Sequence, residues 1–367
     1  MSEATIADRC RVLISTGDEA SRVGLATSIL GRYADLPDDE KVRFFGDLVR
    51  GFEPDSAVPD SEIAGRRREL LHRLSEAPGG TAALVRLRAD LLHHLQGDRA
   101  LAALDADFQP LLDSWFDRDS LVLQPITWSS PAELREKVIA YESVHPIADG
   151  DELRRRLEPP DRRCYAFLHP ALPGEPLVFV EVALTRGIPD AITDLLDDRR
   201  DPIAGEAADT AVFYSINNCH AGLRGLSFGH LLIQQVSSEL TRDLPNLTTF
   251  VTLSPAPGFG RWLRDQAGAG NLDADELLHL IASDDWARDP VRRERQAALA
   301  TALGTTYVHH AQRADGRPLD PVARFHLGNG AVVERINPQG NLSPSGIEQS
   351  AGMMVNYRYD RGPTIGV

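Results

Sequence analysis

The feature of this sequence that most constrains its fold is a change of pattern near residue 115. Before that point, apolar residues recur at helical spacing. In the stretch DDEKVRFFGDLVRGF, an acidic first turn precedes a stripe formed by Val42, Phe45, Leu48 and Val49. No strand pattern interrupts this part of the chain. We therefore predict that it folds entirely as helices, with the arginine-rich segment GRRRELLHRL as a solvated helix face.

The residues after this change alternate between two patterns. β-Branched and aromatic segments, such as PLVFVEVAL, TAVFYSIN and LTTFVTL, are separated by amphipathic helical segments. This alternation predicts an α+β protein with a helical first part. Because no low-complexity linker lies at the boundary, we place two domains directly in succession, at residues 1–114 and 115–367.

Composition and charge exclude several classes of protein. The 367 residues are 42% hydrophobic, and no apolar run approaches the roughly 20 residues that a membrane-spanning helix needs. A formal charge of −15 argues against nucleic acid as a partner. The three cysteines form no C-x-x-C pair, so neither a metal site nor a disulfide framework is predicted. With no leader or anchor pattern, we expect a cytoplasmic protein that contacts neither membrane nor nucleic acid.

The strongest local signal is the segment YSINNCHAGLRGLSFGHLLIQQVSSEL. A strand runs into a turn with Gly222 and Gly225, and an amphipathic helix follows. Glycines allow close backbone approach, and free N–H groups at a helix start attract anions, so the segment suits a pyrophosphate. The spacing of Gly222, Gly225 and Gly229 fits neither a dinucleotide fingerprint nor a P-loop. It resembles the acyl-CoA loop of the GNAT acyltransferase superfamily, although glycine packing at an ordinary helix start explains it equally well.

Two further residues are candidates for chemistry, each with a structural alternative. Ser254 lies in TLSPAPGF at the end of a predicted strand, which Pro255 and Pro257 prevent from continuing. It is therefore either a hydroxyl held rigidly toward a ligand or an ordinary turn serine. His326 lies between apolar residues before a Gly-Asn-Gly turn. It is either a buried histidine with a backbone partner or a group that moves protons.

Several segments together resemble the malonyl-CoA decarboxylase family. HPI, RRCYAFLHPALPGEPLVFVEVALT, FYSIN, GLRGLSFG, TLSPAPGF, FHLGNGAVVERIN and GMMVNYRY occur in the order and approximate spacing of that family. Upstream, RLRADLL and SWFDRDSLVLQPITWSSP are also similar. The resemblance covers roughly residues 75–360, and S-P-x-P-G-F and F-H-L-x-N-G-A are specific motifs.

This resemblance implies an architecture and an activity. The fold would be α+β: an all-helical N-terminal oligomerisation domain, then a GNAT-like α/β acyl-CoA-binding domain with a mixed sheet. The protein would convert malonyl-CoA to acetyl-CoA and CO2 as a homo-oligomer, a dimer or a tetramer formed through the helical domain. No cofactor is expected, since CoA is part of the substrate.

The resemblance also assigns site residues. The family's catalytic serine matches Ser254 and its catalytic histidine, the expected proton donor, matches His326. From the residues alone, Tyr357 and Tyr359 either belong to the core or donate into the site, and the core is favoured; Asn329 and Tyr359 are kept as candidates for active-site support. The expected substrate-binding residues form one loop and helix start: Gly222, Arg224, Gly225, Leu226, Ser227, Phe228, Gly229 and His230. Animal members carry glutamate where this chain has Ser227, so an acidic role cannot be transferred to that position.

Three other functions compete with this one. A GNAT-type acyltransferase would use the same loop but would require an acceptor amine. A non-catalytic sensor would bind malonyl-CoA without consuming it. A serine hydrolase is disfavoured because G-x-S-x-G is absent and proline, which has no N–H, follows Ser254.

Overall fold

The computed structural model describes residues 5–51, 60–95, 97–226, 228–283 and 285–360. The described residues before Phe116 form six helices: α1 (Ile6–Ser15), α2 (Glu19–Ala34), α3 (Asp38–Val49), α4 (Asp60–Ser75), α5 (Gly80–His94) and α6 (Arg99–Trp115). Strands occur only after this point in the described chain. The predicted helical N-terminal region is therefore confirmed.

The rest of the described chain mixes strands and helices. The strands are β1 (Val122–Pro125), β2 (Arg162–Leu168), β3 (Pro176–Thr185), β4 (Thr210–Asn218), β5 (Thr249–Thr252), β6 (Ser254–Pro255), β7 (Val332–Asn337) and β8 (Met354–Tyr359). The helices are α7 (Ala132–Tyr141), α8 (Gly150–Leu157), α9 (Thr193–Leu196), α10 (Phe228–Asp243), α11 (Phe259–Gly268), α12 (Leu272–Ile281), α13 (Pro290–His310), α14 (Pro321–Gly328) and α15 (Pro344–Ser350). The three predicted β-rich segments, PLVFVEVAL, TAVFYSIN and LTTFVTL, contribute β3, β4 and β5.

The strands form a mixed sheet. Their order is β1-β2-β3-β4-β5-β8-β6, and β7 pairs with β8. β4 and β5 are parallel, with Phe213 opposite Thr252, whereas β8 is antiparallel to β5, β6 and β7. The prediction of an α+β fold with a mixed sheet is thus confirmed.

By its internal contacts the chain divides into two compact units. The first comprises Met1–Gln124, Ala166–Val178 and Asn218–Leu231, and the second comprises Pro125–Tyr165, Phe179–Asn217 and Leu232–Val367. In the described chain no helix is both long and apolar enough to cross a membrane. The predicted linear boundary at residues 114 and 115 stays a prediction.

Two sequence interpretations of the helical region need correction. Val42 is 44% exposed, and Phe44 faces the core in its place, 5.2 Å from the ring of Tyr33. Arg67, in the arginine-rich segment, is not solvated: it is 8% exposed and its Nε donates to Asp107. In both cases tertiary packing decided which side of the helix is buried.

In the second unit, one apolar core lies behind the segments that carry Ser254 and His326. It joins α11, α12 and α13 to α14 and β8 through buried side chains, including Phe259, Leu277, Leu303, Ala323 and Tyr357. These side chains are between 0% and 7% exposed. Close packing of this kind fixes the backbone from which site residues project.

Candidate active site

Ser254 lies where the chain leaves β4 but remains paired with β8. The N–H of Leu253 still donates to the carbonyl of Phe213 on β4, at 3.2 Å. The next residue, Ser254, pairs with Val355 of β8, in the same antiparallel register in which β8 pairs with β5. The expectation that the strand ends at Ser254 is therefore wrong in detail, because Pro255 belongs to β6. Pro255 has no N–H to donate and sits at the end of this two-residue strand, a position that suits proline.

His326 lies in the last turn of α14, and Asp320 fixes the start of this helix. One oxygen of the Asp320 carboxylate accepts the N–H groups of Val322 and Ala323, at 2.9 and 2.8 Å. This is the usual N-cap arrangement, followed here by proline at the first helical position.

The other oxygen of Asp320 reaches the turn after Ser254. It accepts the Tyr307 hydroxyl at 3.1 Å and the N–H of Gly258 at 3.4 Å. A Cβ at Gly258 would overlap the Tyr307 hydroxyl. Asp320 thus ties the helix of His326 to the turn that follows Ser254, and it is a residue that the sequence analysis missed.

Four side chains form a continuous chain of hydrogen bonds at this place. The Tyr359 hydroxyl lies 2.8 Å from His326 Nδ1, and Ser254 Oγ lies 3.1 Å from His326 Nε2. Ser254 Oγ donates to Thr252 Oγ1 at 2.9 Å. Thr252 was not predicted as a site residue, although its position two residues before Ser254 on an extended segment places both side chains on one face.

The surroundings of His326 keep its ring neutral. The side chain is 3% exposed, and burial lowers its pKa to about 3. The ring of Tyr357 stacks on it, with centroids 4.7 Å apart and planes inclined by 25°. At neutral pH one ring nitrogen therefore carries a proton and the other is an acceptor.

The hydrogen-bond network assigns the tautomer of His326. The Ser254 proton is directed to Thr252, so a Ser254 lone pair faces Nε2, which must then be the N–H donor. Nδ1 is left as the acceptor for the Tyr359 hydroxyl. The network therefore aligns three donors in one direction, from Tyr359 through His326 to Ser254.

Tyr359 and Asn329, the two predicted supporting residues, differ in placement. Tyr359 is half-buried and bonded to His326, and burial raises its pKa. Asn329 is the C-cap of α14, where its backbone N–H donates to the carbonyls of Phe325 and His326. Tyr359 thus joins the network directly, whereas the backbone of Asn329 closes the helix.

The predicted substrate-binding loop belongs to the first unit and is described within it. Gly222 lies in a 3-10 turn, Ala221–Leu223, and a Cβ there would overlap the Val85 carbonyl oxygen. Arg224 and Gly225 are exposed, and Gly225 has φ +96°, which favours glycine. Ser227 lies outside the described residues.

The start of α10 completes this loop. Phe228 and Gly229 are buried and His230 is half-buried, all in the first turn. Leu226 and Phe228 border a cavity of about 220 Å³, together with Asp113, Phe116, Arg118, Leu121, Gly225 and Leu231. The loop residues therefore combine exposed backbone with a recess that is lined by both apolar and charged side chains.

A second buried polar cluster, also missed by sequence reasoning, lies at the end of β4. The Glu142 carboxylate accepts the N–H groups of Val144 and His145, the Ser215 hydroxyl and the Asn217 amide, all at 2.7–2.8 Å. Because all four donors point at one carboxylate, this cluster fixes the end of the strand. The sequence does not indicate this burial, because Glu142 is a charged residue at the end of α7, a position that is usually exposed.

Comparison with known proteins adds independent findings. The model of the malonyl-CoA decarboxylase C-terminal domain matches residues 119–363, and that of the N-terminal domain matches residues 60–116. The chain is 35% identical over 326 residues to the mitochondrial malonyl-CoA decarboxylase of Anser anser anser, and similarly to that of Rattus norvegicus over 327 residues. It covers 64% and 66% of these relatives, so it spans slightly less than two thirds of their length.

Two solved structures are similar over nearly the whole chain. Malonyl-CoA decarboxylase from Rhodopseudomonas palustris is 46% identical, with a TM-score of 0.88, covering 97% of this chain and 93% of that one. The enzyme of the same name from Agrobacterium vitis is 44% identical, with a TM-score of 0.87, covering 97% and 92%. The chain belongs to the malonyl-CoA decarboxylase family.

Proposed function

We propose that this protein decarboxylates malonyl-CoA to acetyl-CoA and CO2, with Ser254 and His326 at the reacting centre. The observation that carries the proposal is the hydrogen-bond chain from Tyr359 through His326 to Ser254. Its members are the two residues that the family resemblance assigns to catalysis and one predicted supporting residue. Family membership and the names of the similar proteins support the choice of substrate.

The chemistry asks little of the protein. When the bond to the carboxylate breaks, its electron pair passes to the thioester carbonyl and gives an enolate. The substrate itself is thus the electron sink, and we propose that no further cofactor takes part. The protein must orient the carboxylate, stabilise the enolate oxygen and protonate the α-carbon.

Ser254 suits the orienting task. Ser254 is 7% exposed, and its hydroxyl is held between Thr252 and His326. We propose that its proton, which points to Thr252 in the structure, turns to the malonyl carboxylate or the thioester oxygen when substrate binds, while its lone pair keeps facing Nε2. A site shielded from water also favours loss of a charged carboxylate as neutral CO2.

His326 supplies the proton as a neutral imidazole. In the proposed step the α-carbon takes the Nε2 proton while Nδ1 takes the phenolic proton of Tyr359. One C–H and one N–H bond form as one N–H and one O–H bond break, and the ring stays neutral. The half-buried phenolate then recovers a proton from water. Because burial raises the pKa of Tyr359, this recovery is strongly favoured.

We propose that the loop from Gly222 to His230 binds the CoA moiety. The backbone at Gly225 is exposed, and the first N–H groups of a helix such as α10 attract phosphate. The helical region is proposed to form a homo-oligomer, which light scattering of the purified protein tests directly.

The decisive experiment incubates pure, chelator-treated protein with malonyl-CoA alone and measures CO2 and acetyl-CoA. Release of both without an acceptor supports the decarboxylase. Transfer of an acetyl group to an added amine, without CO2 release, would establish an acyltransferase instead. Tight binding without turnover would establish a sensor, and activity lost with the chelator would contradict the cofactor-free mechanism.

Substitutions test the assigned roles. Ser254→Ala and His326→Asn should each lower kcat by about 10²–10⁴, the usual effect of losing one positioned donor or acid. Ser350→Ala is the matched control, because Ser350 is 1% exposed and its hydroxyl has no partner among the described residues. Near-full activity of either active-site variant would refute its role.

A further inference from the structure

One arginine of the helical region contacts the proposed CoA loop. Arg88 lies on α5, belongs to the same compact unit as the loop and is 3% exposed. Its Nη1 donates to the carbonyl of Gly222 at 2.8 Å and to that of Arg224 at 2.9 Å. A single guanidinium nitrogen thus holds two carbonyls of the loop.

The charge of Arg88 is balanced on its other edge. Asp105, on α6, accepts Nε at 2.7 Å and Nη2 at 3.4 Å. A buried arginine with a carboxylate partner is fixed in orientation, because both edges of its planar group are engaged. Arg88 is therefore a rigid attachment point for the loop.

The loop itself lies directly on the backbone of α5. A Cβ at Gly222 would overlap the Val85 carbonyl oxygen, so only glycine allows this approach. The two hydrogen bonds from Arg88 and the contact at Gly222 together fix the position and orientation of the loop relative to α5.

The direction of one N–H group follows from this attachment. The chain has no cis peptide bonds among the described residues, so the Arg224 carbonyl and the Gly225 N–H of the same peptide point in opposite directions. Arg88 binds the carbonyl, which turns the Gly225 N–H away from α5. Gly225 is exposed, and within the described chain its N–H donates to no carbonyl or side chain.

We propose that Arg88 is a positioning residue for the substrate: by holding the carbonyls of Gly222 and Arg224, it presents the Gly225 N–H to a phosphate group of CoA. This inference rests on the proposed function of the loop. Hydrogen bonding at the carbonyl also polarises the peptide, which strengthens its N–H as a donor to an anion. Arg88 itself does not touch the substrate.

The test compares two substrates in Arg88→Lys and Arg88→Met. Malonyl-CoA carries the phosphates, whereas malonyl-pantetheine lacks them. We expect KM for malonyl-CoA to rise about 10-fold, equivalent to about 1.4 kcal/mol. KM for malonyl-pantetheine and kcat at saturating malonyl-CoA should stay within about threefold of wild type, since the reacting centre is untouched.

Arg86→Met is the control, because Arg86 lies two residues away on the exposed side of α5. Arg88→Lys keeps the charge opposite Asp105 and serves if Arg88→Met does not fold. If both fail, Asp105→Asn, which loosens Arg88, should give a smaller rise in KM for malonyl-CoA alone, about threefold.

Three results would overturn the inference: an unchanged KM for malonyl-CoA, an equal rise for both substrates, or a loss confined to kcat. An unchanged KM would mean that the loop binds CoA without being positioned by Arg88. The other two results would indicate that Arg88 has a general structural role. If wild type does not decarboxylate malonyl-CoA, the proposed function fails separately. In that case calorimetry tests Arg88: the Arg88 variants should bind CoA about 10-fold more weakly than wild type, with their affinity for pantetheine nearly unchanged.

Discussion

Two tyrosines on either side of His326 offer a sharp test of the proposed proton transfer. The Tyr359 hydroxyl donates to Nδ1 at 2.8 Å, whereas the Tyr357 hydroxyl, on the stacked ring, is fully buried and has no partner among the described residues. Replacing each by phenylalanine removes one oxygen atom. Only Tyr359→Phe interrupts the chain of donors.

The two substitutions should also differ in their effect on stability. Tyr359→Phe leaves the buried Nδ1 of His326 without a donor, which costs about 1–3 kcal/mol of unfolding free energy. Tyr357→Phe removes a buried hydroxyl that is already unsatisfied, so stability should stay within about 0.5 kcal/mol or increase.

Catalysis should separate the variants more widely. Without the phenolic proton, transfer from Nε2 would leave an imidazolate, so kcat of Tyr359→Phe should fall by about 10²–10⁴ with KM nearly unchanged. Tyr357→Phe keeps the donor chain and should retain kcat within about threefold of wild type.

The assay is acetyl-CoA release at saturating malonyl-CoA, with urea unfolding of the same samples. A Tyr359→Phe enzyme with kcat within threefold of wild type would refute the relay. Equal losses in both variants would show that ring packing around His326, not the donor chain, controls the rate.

Three further predictions concern the same region. Since the pKa of His326 is about 3, kcat should vary less than about twofold between pH 6 and 8; an imidazolium donor of ordinary pKa would lose tenfold per unit above about 6.5. The pKa of His326 is lower in the folded protein than in the unfolded chain, where it is about 6.5, because the buried ring resists protonation. The folded protein is therefore most stable above about pH 6.5, and it loses stability as the pH falls below that value. Between pH 7 and 5, His326→Asn should therefore lose about 2 kcal/mol less unfolding free energy than wild type, and equal losses would contradict the linkage. In Gly258→Ala the new Cβ would overlap the Tyr307 hydroxyl, so the free energy of unfolding should fall by about 2 kcal/mol and kcat should also fall. Gly268→Ala, where the Cβ meets open space, is the control and should change neither. Equal melting temperatures of the two variants would show that the turn adapts.

The sequence predicts those parts of the fold that depend on local pattern. The β-branched segments form β3, β4 and β5, and helical spacing continues to Trp115 as the structure has it. It does not predict β6, because Ser254 and Pro255 form a strand only by pairing with β8, a segment about 100 residues further along. A proline next to a strand end looks the same whether strand pairing stops there or continues with one neighbouring strand.

Buried charges escape sequence reasoning for a related reason. Arg67 and Arg88 stand among other arginines on amphipathic helices, where solvation is the usual outcome. Their carboxylate partners, Asp107 and Asp105, lie 40 and 17 residues away, and both sit on α6. Only the packing of helices brings such pairs together, so the sequence gives the charges without their pairing.

The direction of hydrogen bonding at Ser254 separates the proposed decarboxylase from a serine hydrolase. A hydrolase requires the histidine to accept the serine proton, so that the serine oxygen becomes a nucleophile. Here the Ser254 proton goes to Thr252, whose oxygen also accepts the N–H of Tyr357 at 3.2 Å. With Tyr359 donating to the opposite side of the ring, Nε2 faces Ser254 as a donor. Ser254 and His326 can be predicted from the sequence for either decarboxylation or hydrolysis. The residues around them favour a histidine that donates a proton.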